Sequence, residues 1–400
     1  MKNLFNKQLS RTSISPISKL VAKAKSHKKK GLKVIDAGAG EFYKRTTNEI
    51  IQAGINGIKK GEFGYTNVRG IDPLREQILN KIKNFYDISH ASDKNIISTA
   101  GAKHALYCIF QALINPGDEI IIFSPYWPSY PEMIKTFGGV VKVFDISKLN
   151  DKSILKFEKL LTSQTKAVVF NSPSNPSGFI FPQRYYFNFV LSSLKKSNAF
   201  ILHDNVYENL TWTSEETKFP FDKLNANYLN RNIIVSSVSK SCSMTGWRVG
   251  YIYASENLIN ILTAINSQSI SNIPVIAQYA AIYALKNESS IAKKICAELM
   301  VNADRLSNSL NEIKDISYVT PKSGMFCFVD FKKYLKKNNY KNDLEFADYL
   351  LNEFGLVVVP GSVFGKPYHI RFSYGVSKSN LNKIIAVIKK LKLNNPVSTK

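Results

Sequence analysis

The residues best suited to covalent chemistry lie in Ser237-Val-Ser-Lys240-Ser-Cys-Ser-Met-Thr-Gly-Trp-Arg248, one lysine among small hydroxyl side chains. A lysine in a tight Ser/Gly-lined loop loses water, which lowers its pKa and makes the amine nucleophilic toward an aldehyde. Ser237 and Arg248 suit a phosphate, because a guanidinium offers a planar fork of donors to a phosphoryl group. An aldehyde and a phosphate on one small molecule describe pyridoxal 5′-phosphate. The reading depends on whether other residues supply the remaining groups that cofactor needs.

Four further stretches offer them. Gly101-Ala102-Lys-His follows the apolar run Asn95–Ser98 and opens a helical pattern. Backbone N–H groups at such a helix start bind anions, although a plain turn reads the same. Asn171-Ser-Pro-Ser-Asn175-Pro-Ser-Gly178 is an irregular loop that can aim the Asn175 amide at a ligand oxygen, or can be a structural turn. His203-Asp204-Asn-Val-Tyr207 leaves another apolar run, so Asp204 sits where it needs a cationic partner such as a protonated pyridine nitrogen. Tyr207 can then reach the ring hydroxyl; a helix N-cap is the simpler role for Asp204. Trp127, in Pro125-Tyr-Trp-Pro, can stack on a flat ring or fill a core.

These groups need a scaffold, and the chain spells one out. Candidate strands are Asn95–Ser98, Glu119–Phe123, Val140–Phe144, Lys166–Asn171, Ala199–His203, Asn232–Ser236 and Val249–Tyr253, with helical patterns between most of them. That alternation predicts an α/β fold, a mainly parallel seven-stranded sheet sandwiched by helices. Ligands collect at the carboxyl ends of such strands, and several of the polar stretches fall there. Beyond about residue 290 the pattern changes to a smaller α+β domain. It comprises a helix over Ile291–Ile313, strands Phe326–Asp330, Val357–Val359 and His369–Tyr374, and helices near Asp343–Asn352 and Asn380–Leu391. The expected division is 1–45 as a segment joining the small domain, 46–290 as the large cofactor-binding domain, and 291–400 as the small one.

Composition narrows the alternatives. The net charge of +24 suggests nucleic-acid binding, but 45 of the 54 basic residues are lysine and only 9 are arginine, the better phosphate and base reader. Lysine drift on exposed faces accounts for that balance, and no nucleic-acid partner is expected. No apolar run reaches membrane-spanning length; Ile273–Leu285 contains Gln278 and reads as a buried helix. Cys108, Cys242, Cys296 and Cys327 are scattered without CxxC spacing, which points to a reducing cytoplasm and to neither disulfides nor a metal site. The first 35 residues hold ten Lys or Arg and no acid, yet have no apolar stretch of a secretion signal; a solvated leading segment is expected, running into a strand at Leu32–Asp36.

Taken together and in order, these motifs resemble the class I aminotransferases among the fold-type I pyridoxal-phosphate enzymes, in particular the bacterial aspartate aminotransferase branch. The resemblance runs from about Leu9 to Leu391. It includes Gly64-Tyr65-Thr-Asn-Val-Arg-Gly-Ile-Asp-Pro-Leu-Arg75, Ser124–Pro131, Asn171–Gly178, Ser239–Arg248, Val359-Pro-Gly361 and His369-Ile-Arg371. It implies that Lys240 bonds the cofactor aldehyde and then moves the substrate α-proton, and that Asp204 keeps the pyridine nitrogen protonated. Asn175 and Tyr207 would bond the ring hydroxyl, and Trp127 would stack on the ring. The phosphate would take Ser237, Arg248, the Gly101–Ala102 backbone and Tyr65 of a second subunit, which implies a homodimer. Arg371, with Asn175 and the backbone at Gly38, would grip the substrate α-carboxylate; Trp127 also borders that substrate position.

Three places depart from the family pattern. Asn205 follows Asp204 where the branch has an acid, and Gly38-Ala-Gly-Glu-Phe42 replaces a Gly-Glu-Pro-Asp-Phe segment. Near the N-terminus, Ser15 and Lys19 stand where the branch uses a basic residue and a threonine to admit dicarboxylates, while Lys103 keeps a further basic position. The expected activity is amino transfer from an L-amino acid, aspartate first, to a 2-oxo acid such as 2-oxoglutarate. Aromatic, methionine-like or basic amino acids, or β-elimination, are the alternatives. The effector-binding half of a transcription regulator is disfavoured, because the segment before Leu32 is too short for a helix-turn-helix domain.

Overall fold

Runs such as Glu119-Ile-Ile-Ile-Phe-Ser124 are apolar at consecutive positions, which suits a strand covered on both faces. The computed structural model describes residues 16–61, 64–147, 149–213 and 218–393, with backbone alone at 16–19, 21 and 393. In chain order its strands are β1 (Ile35–Asp36), β2 (Ile96–Thr99), β3 (Glu119–Ser124), β4 (Val140–Asp145), β5 (Thr165–Asn171), β6 (Phe200–Asp204) and β7 (Asn232–Ser237). There follow β8 (Gly250–Tyr253), β9 (Ser317–Tyr318), β10 (Phe326–Asp330), β11 (Leu356–Val357), β12 (Val359–Pro360) and β13 (His369–Ser373).

Seven strands form the main sheet in the order β2-β8-β7-β6-β5-β3-β4. All neighbours are parallel except β8, which runs antiparallel to both β2 and β7. Successive side chains of a strand point to opposite faces. Thus Ile121 and Phe123 enter one core cluster, while Ile120 and Ile122 enter another. Helices Asp72–Phe85, Gln183–Lys196 and Val275–Lys286 cover the first face; Ala102–Leu113 and Glu256–Ser269 cover the second. Phe123 meets Phe144, Phe157, Phe170, Phe181 and Phe189 ring to ring, each buried side chain contributing about 2 kcal/mol. All seven sequence-predicted strands are present, with ends displaced by one residue at most. No helix among the described residues is long and apolar enough to cross a membrane.

The later residues build a second, antiparallel sheet, β12-β13-β10-β9, and β1 pairs in parallel with β11. Two expectations change here. The leading segment forms a helix, Pro16–Lys29, and the strand expected from Leu32 is reduced to Ile35–Asp36. The helix is mostly polar, but Ala24 is buried against Leu351 and Val357, and Lys23 pairs with Asp348 at 2.5 Å. The helix has a local signal, apolar Ile17, Leu20, Val21 and Ala24 at i, i+3, i+4 and i+7, within the lysine-rich composition. The single strand expected at Val357–Val359 is split: Leu356–Val357 pairs with β1, whereas Val359–Pro360 pairs with β13. The side chain of Lys19 and all of Ser15 lie outside the described residues.

Gly355 closes the helix Asp343–Phe354 in the left-handed region (φ 66°) and accepts from the Ile35 N–H at 2.8 Å. A Cβ there would lie 1.9 Å from the Lys33 carbonyl oxygen. Gly355→Ala should therefore cost about 2 kcal/mol or more in denaturant unfolding; an unchanged midpoint would contradict this close approach.

Candidate active site

The register of the main sheet puts the functional strand ends side by side. Gly250 opposes Thr99 on one side and Ser237 on the other, Asp204 opposes Val235, and Asn171 opposes Asp204. A cavity of about 370 Å³ opens at this edge. Ala102, Trp127, Asn175, Asp204, Tyr207, Ser237, Lys240, Arg248 and Arg371 line it, nine of the twelve predicted site residues. Gly101 and Gly38 stand behind its wall. Tyr65 does not face it: the side chain is 92% exposed.

Lys240 rides on the single turn Val238–Ser241 that follows β7. Its Nζ donates to the Gly40 carbonyl at 2.6 Å and lies 5.9 Å from the Tyr207 ring. Burial pushes the amine down to about 8; Glu41 opposes that shift, while Arg371 and Arg248 reinforce it. A lysine with this proton affinity is a nucleophile and a base near neutral pH.

Asp204 ends β6 and caps no helix. Its Oδ2 accepts from the Tyr130 hydroxyl, while its Oδ1 is buried with no hydrogen-bond partner. Burial raises the acid to about 6, with the Tyr130 bond pulling the other way. An orphaned carboxylate oxygen costs free energy until a donor, preferably cationic, meets it. A protonated ring nitrogen is such a donor, so this wall fits the pyridine of pyridoxal phosphate. Tyr207 is buried close by, its hydroxyl raised by loss of water.

The opposite end is built for an anion. Gly101 (φ 82°) starts the helix Ala102–Leu113, whose first turn holds Lys103 and His104 and no acid. Arg248, itself left-handed (φ 58°), turns its guanidinium back onto Gly101, donating to Thr245 O (2.7 Å) and Ala100 O (3.2 Å). A Cβ on Gly101 would come within 2.4 Å of Arg248 Nη2, and one on Gly250 within 2.6 Å of the Ala102 nitrogen. A cation packed on the positive end of a helix is unfavourable without an intervening anion. Burial, and secondly Arg248, depress both Lys103 and His104. A phosphate between Arg248, Ser237 and the Ala102 N–H would offset the like-charge part of these shifts.

Arg371 comes from the other sheet, in register between Phe328 and Val359. It is fully buried, stacked 4.1 Å from the Phe326 ring, and lowered to about 10 by loss of water. Nη1 donates to Asn175 Oδ1 at 2.8 Å, Nη2 to the Gly38 carbonyl at 2.5 Å, and Nε has no partner. The guanidinium is thus fixed by Asn175 and Gly38 with its edge on the cavity, as a carboxylate clamp requires.

The structure adds residues that the sequence analysis did not assign. Tyr130 makes the bond to Asp204 and packs edge-on to Trp127 at 5.4 Å. The signal was its place three residues after Trp127, at the start of the helix Ser129–Thr136. Asn171 donates to the Asp204 carbonyl (2.8 Å) and accepts from the Asn175 N–H (2.9 Å), tying two site loops together. Lys103, already singled out in the sequence as a basic position, also lines the cavity, its Nζ 5.0 Å from the Trp127 ring.

A nucleophilic lysine facing an unpartnered acid, with an anion cradle at one end and an arginine clamp at the other, defines an enzyme acting on small anionic molecules. Residues 33–388 match the family aminotransferase class I and II. The chain is 33% identical over 387 residues to the aspartate aminotransferase of Bacillus sp. (strain YM-2), covering 96% of this chain and 98% of that one. It is 34% identical to the probable aspartate/prephenate aminotransferase of Aquifex aeolicus (strain VF5), covering 98% and 99%. The solved aspartate aminotransferase from Thermus thermophilus with maleate superposes with a TM-score of 0.88 at 28% identity, over 97% of this chain and 99% of that one. The chain belongs to the class I and II aminotransferases. It is an aminotransferase with the fold-type I architecture.

The Asp204 shift has a measurable sign. A carboxyl raised in the fold stabilises below its unfolded pKa of about 4 and loses that contribution as pH rises through about 6. In the cofactor-free protein, Asp204→Asn should therefore gain about 2–3 kcal/mol over the parent chain at pH 7–8. The gain should shrink as pH falls toward about 4, as read by denaturant unfolding across pH. A pH-independent difference would contradict the assignment.

Proposed function

We propose that this enzyme moves the amino group of an L-amino acid, aspartate first, to a 2-oxo acid such as 2-oxoglutarate, with pyridoxal 5′-phosphate bonded at Lys240. The observation that carries this reading is the desolvated Lys240 amine in one cavity with the unpartnered Oδ1 of Asp204. When bound, the cofactor supplies an electron sink for the pair left at the substrate α-carbon.

Everything else falls to side chains of this chain. Asp204, ionised and braced by Tyr130, keeps a proton on the ring nitrogen; Asn175 and Tyr207 hold the ring hydroxyl, and Trp127 covers the ring face. Ser237, Arg248 and the amides at Gly101–Ala102 take the phosphate. Arg371 fixes the substrate α-carboxylate and so points the α-hydrogen at Lys240. Nζ of Lys240, low enough in pKa to be unprotonated at mildly alkaline pH, would take that proton and return it to the cofactor carbon on the other side of the shared nitrogen, a role worth about 10²–10⁴-fold.

Charge balance favours a dicarboxylic substrate. With Arg248 matched to phosphate, Arg371 to the α-carboxylate and Lys240 to the aldehyde, Lys103 is the remaining cation on the cavity wall among the described residues, and burial already disfavours its charge. A side-chain carboxylate restores it. The Thermus thermophilus relative was solved with maleate, itself a four-carbon dicarboxylate.

The enzyme acts as a homodimer in the cytoplasm, with Tyr65 completing the phosphate site of a second subunit. Tyr65 stands almost wholly in solvent beside a braced stretch: Arg69 donates twice to the Ile96 carbonyl at 3.0 Å, and Gln278 accepts from Ile71 N–H at 2.8 Å. The division into 1–45, 46–290 and 291–400 belongs to the same reading, supported by the β1–β11 pairing that joins the leading segment to the later residues in a two-stranded sheet of their own.

Borohydride treatment of protein saturated with pyridoxal phosphate should add the reduced cofactor to the peptide bearing Lys240, and Lys240→Ala should abolish both that label and turnover. A label elsewhere, or none, overturns the proposal. Lys103→Ala should lower kcat/KM for aspartate by about 10²-fold, the worth of one charged hydrogen bond, and leave alanine nearly unchanged. Equal losses for both substrates would remove aspartate from first place.

A further inference from the structure

Behind the cavity lies a second group of charges that the reaction does not touch. Lys81, on the helix Asp72–Phe85, bonds Glu208 at 2.6 Å and Glu288 at 2.7 Å, with the three side chains only 8%, 9% and 7% exposed. Glu208 also accepts from Ser236 Oγ at 2.9 Å and from the Tyr86 hydroxyl. Glu288, which opens the helix Glu288–Leu310, accepts from Ser241 Oγ at 2.6 Å. Every member is next in sequence to a site residue or binds one that is. Glu208 follows Tyr207, Ser236 precedes Ser237, and Ser241 follows Lys240. The outer ends of the cluster are helices from distant parts of the chain.

Such a cluster is a poor choice for stability alone. Taking an ammonium and two carboxylates out of water is expensive, and apolar replacements of similar volume are often neutral or stabilising. Removing one partner is a different matter, because it strands buried charge. Burial by itself would strip the proton from Lys81, but Glu208 and Glu288 hold the ammonium well above its ordinary range. Buried ion pairs do have one well-attested use, fixing a single arrangement where packing would tolerate several. Here the arrangement at stake is that of Lys240 against Asp204 and Tyr207, which come from different strands.

We propose that Lys81 is a positioning residue for the reaction. Through Glu208 it fixes the turn carrying Asp204 and Tyr207; through Glu288 and Ser241 it fixes the turn carrying Lys240. The two halves of the site thereby keep one spacing. This inference rests on the reading of Lys240 as the residue that carries pyridoxal phosphate.

The test compares the parent enzyme with Lys81→Met, which strands the carboxylates, and Glu208→Gln, which keeps the shape and one acceptor oxygen while removing one charge. Four quantities are read: thermal midpoint, pyridoxal-phosphate dissociation constant of the cofactor-free protein, pH midpoint of the bound cofactor's visible band, and kcat and KM. Mispositioning by a fraction of an ångström should lower kcat by about 10²-fold with KM changed far less. The pH midpoint of the band should move by at least about 0.5 unit. Cofactor binding should weaken roughly tenfold. If the thermal midpoint falls while kcat, the band's pH midpoint and cofactor binding stay at parent values, the cluster is structural only and the proposal fails. Should Lys81→Met not fold, Glu208→Gln decides alone, with the same criteria. A parent enzyme whose cofactor band borohydride cannot fix at Lys240 would instead defeat the underlying reading, so the two failures are distinct.

Discussion

The constraint on which the site depends is an excess of positive charge confined to one cavity. Arg248 lies on the positive end of the helix Ala102–Leu113, and Lys103, Lys240 and Arg371 share the same wall against the single buried acid Asp204. Loss of water lowers Lys103, Lys240 and Arg371 below their ordinary ranges, and neighbouring positive charge adds to this at Lys103 and Lys240. Anionic ligands at the proposed positions would offset that repulsion. Burial among cations thus both depresses the amine proposed as catalytic and suits the cavity to anions.

Holding like charges together demands stiff supports, and the main sheet provides them. Thr99, Gly250 and Ser237 stand in direct register, so the three backbones around the proposed phosphate position are locked by ladder hydrogen bonds. Gly250 is needed there because any side chain would strike the Ala102 amide. Arg371 alone belongs to the second sheet. Its guanidinium is bound to Asn175 of one sheet's loops and to Gly38 of the leading segment, so the arginine proposed as the substrate clamp also joins these segments.

Most of this was legible in the sequence, for physical reasons. The strands of the main sheet are nearly unbroken apolar runs, and strand ends in such sheets are where polar motifs become sites. Lys240, Asp204, Asn175, Arg248 and Arg371 could all be picked out by chemistry and resemblance, and the structure brings them to one cavity. What escaped notice depends on contacts between distant segments. Tyr130 sits in a run already singled out, yet only its approach to Asp204 gives it a purpose. The helix Pro16–Lys29 has apolar residues at helical spacing (Ile17, Leu20, Val21, Ala24), a pattern masked by the lysine-rich composition around it; among the described residues, Ala24 and an ion pair to Asp348 anchor it. Lys81, Glu208 and Glu288 each look like ordinary surface charges in sequence; only the tertiary fold buries them together.

The bond between Arg371 and the Gly38 carbonyl spans 333 positions of the chain. A ribosome must therefore release almost the entire polypeptide before that contact can form. The strand ends proposed to meet the ring and phosphate are all synthesised by Gly250, more than a hundred residues earlier. The segments assigned to the coenzyme therefore leave the ribosome well ahead of the arginine assigned to the amino acid.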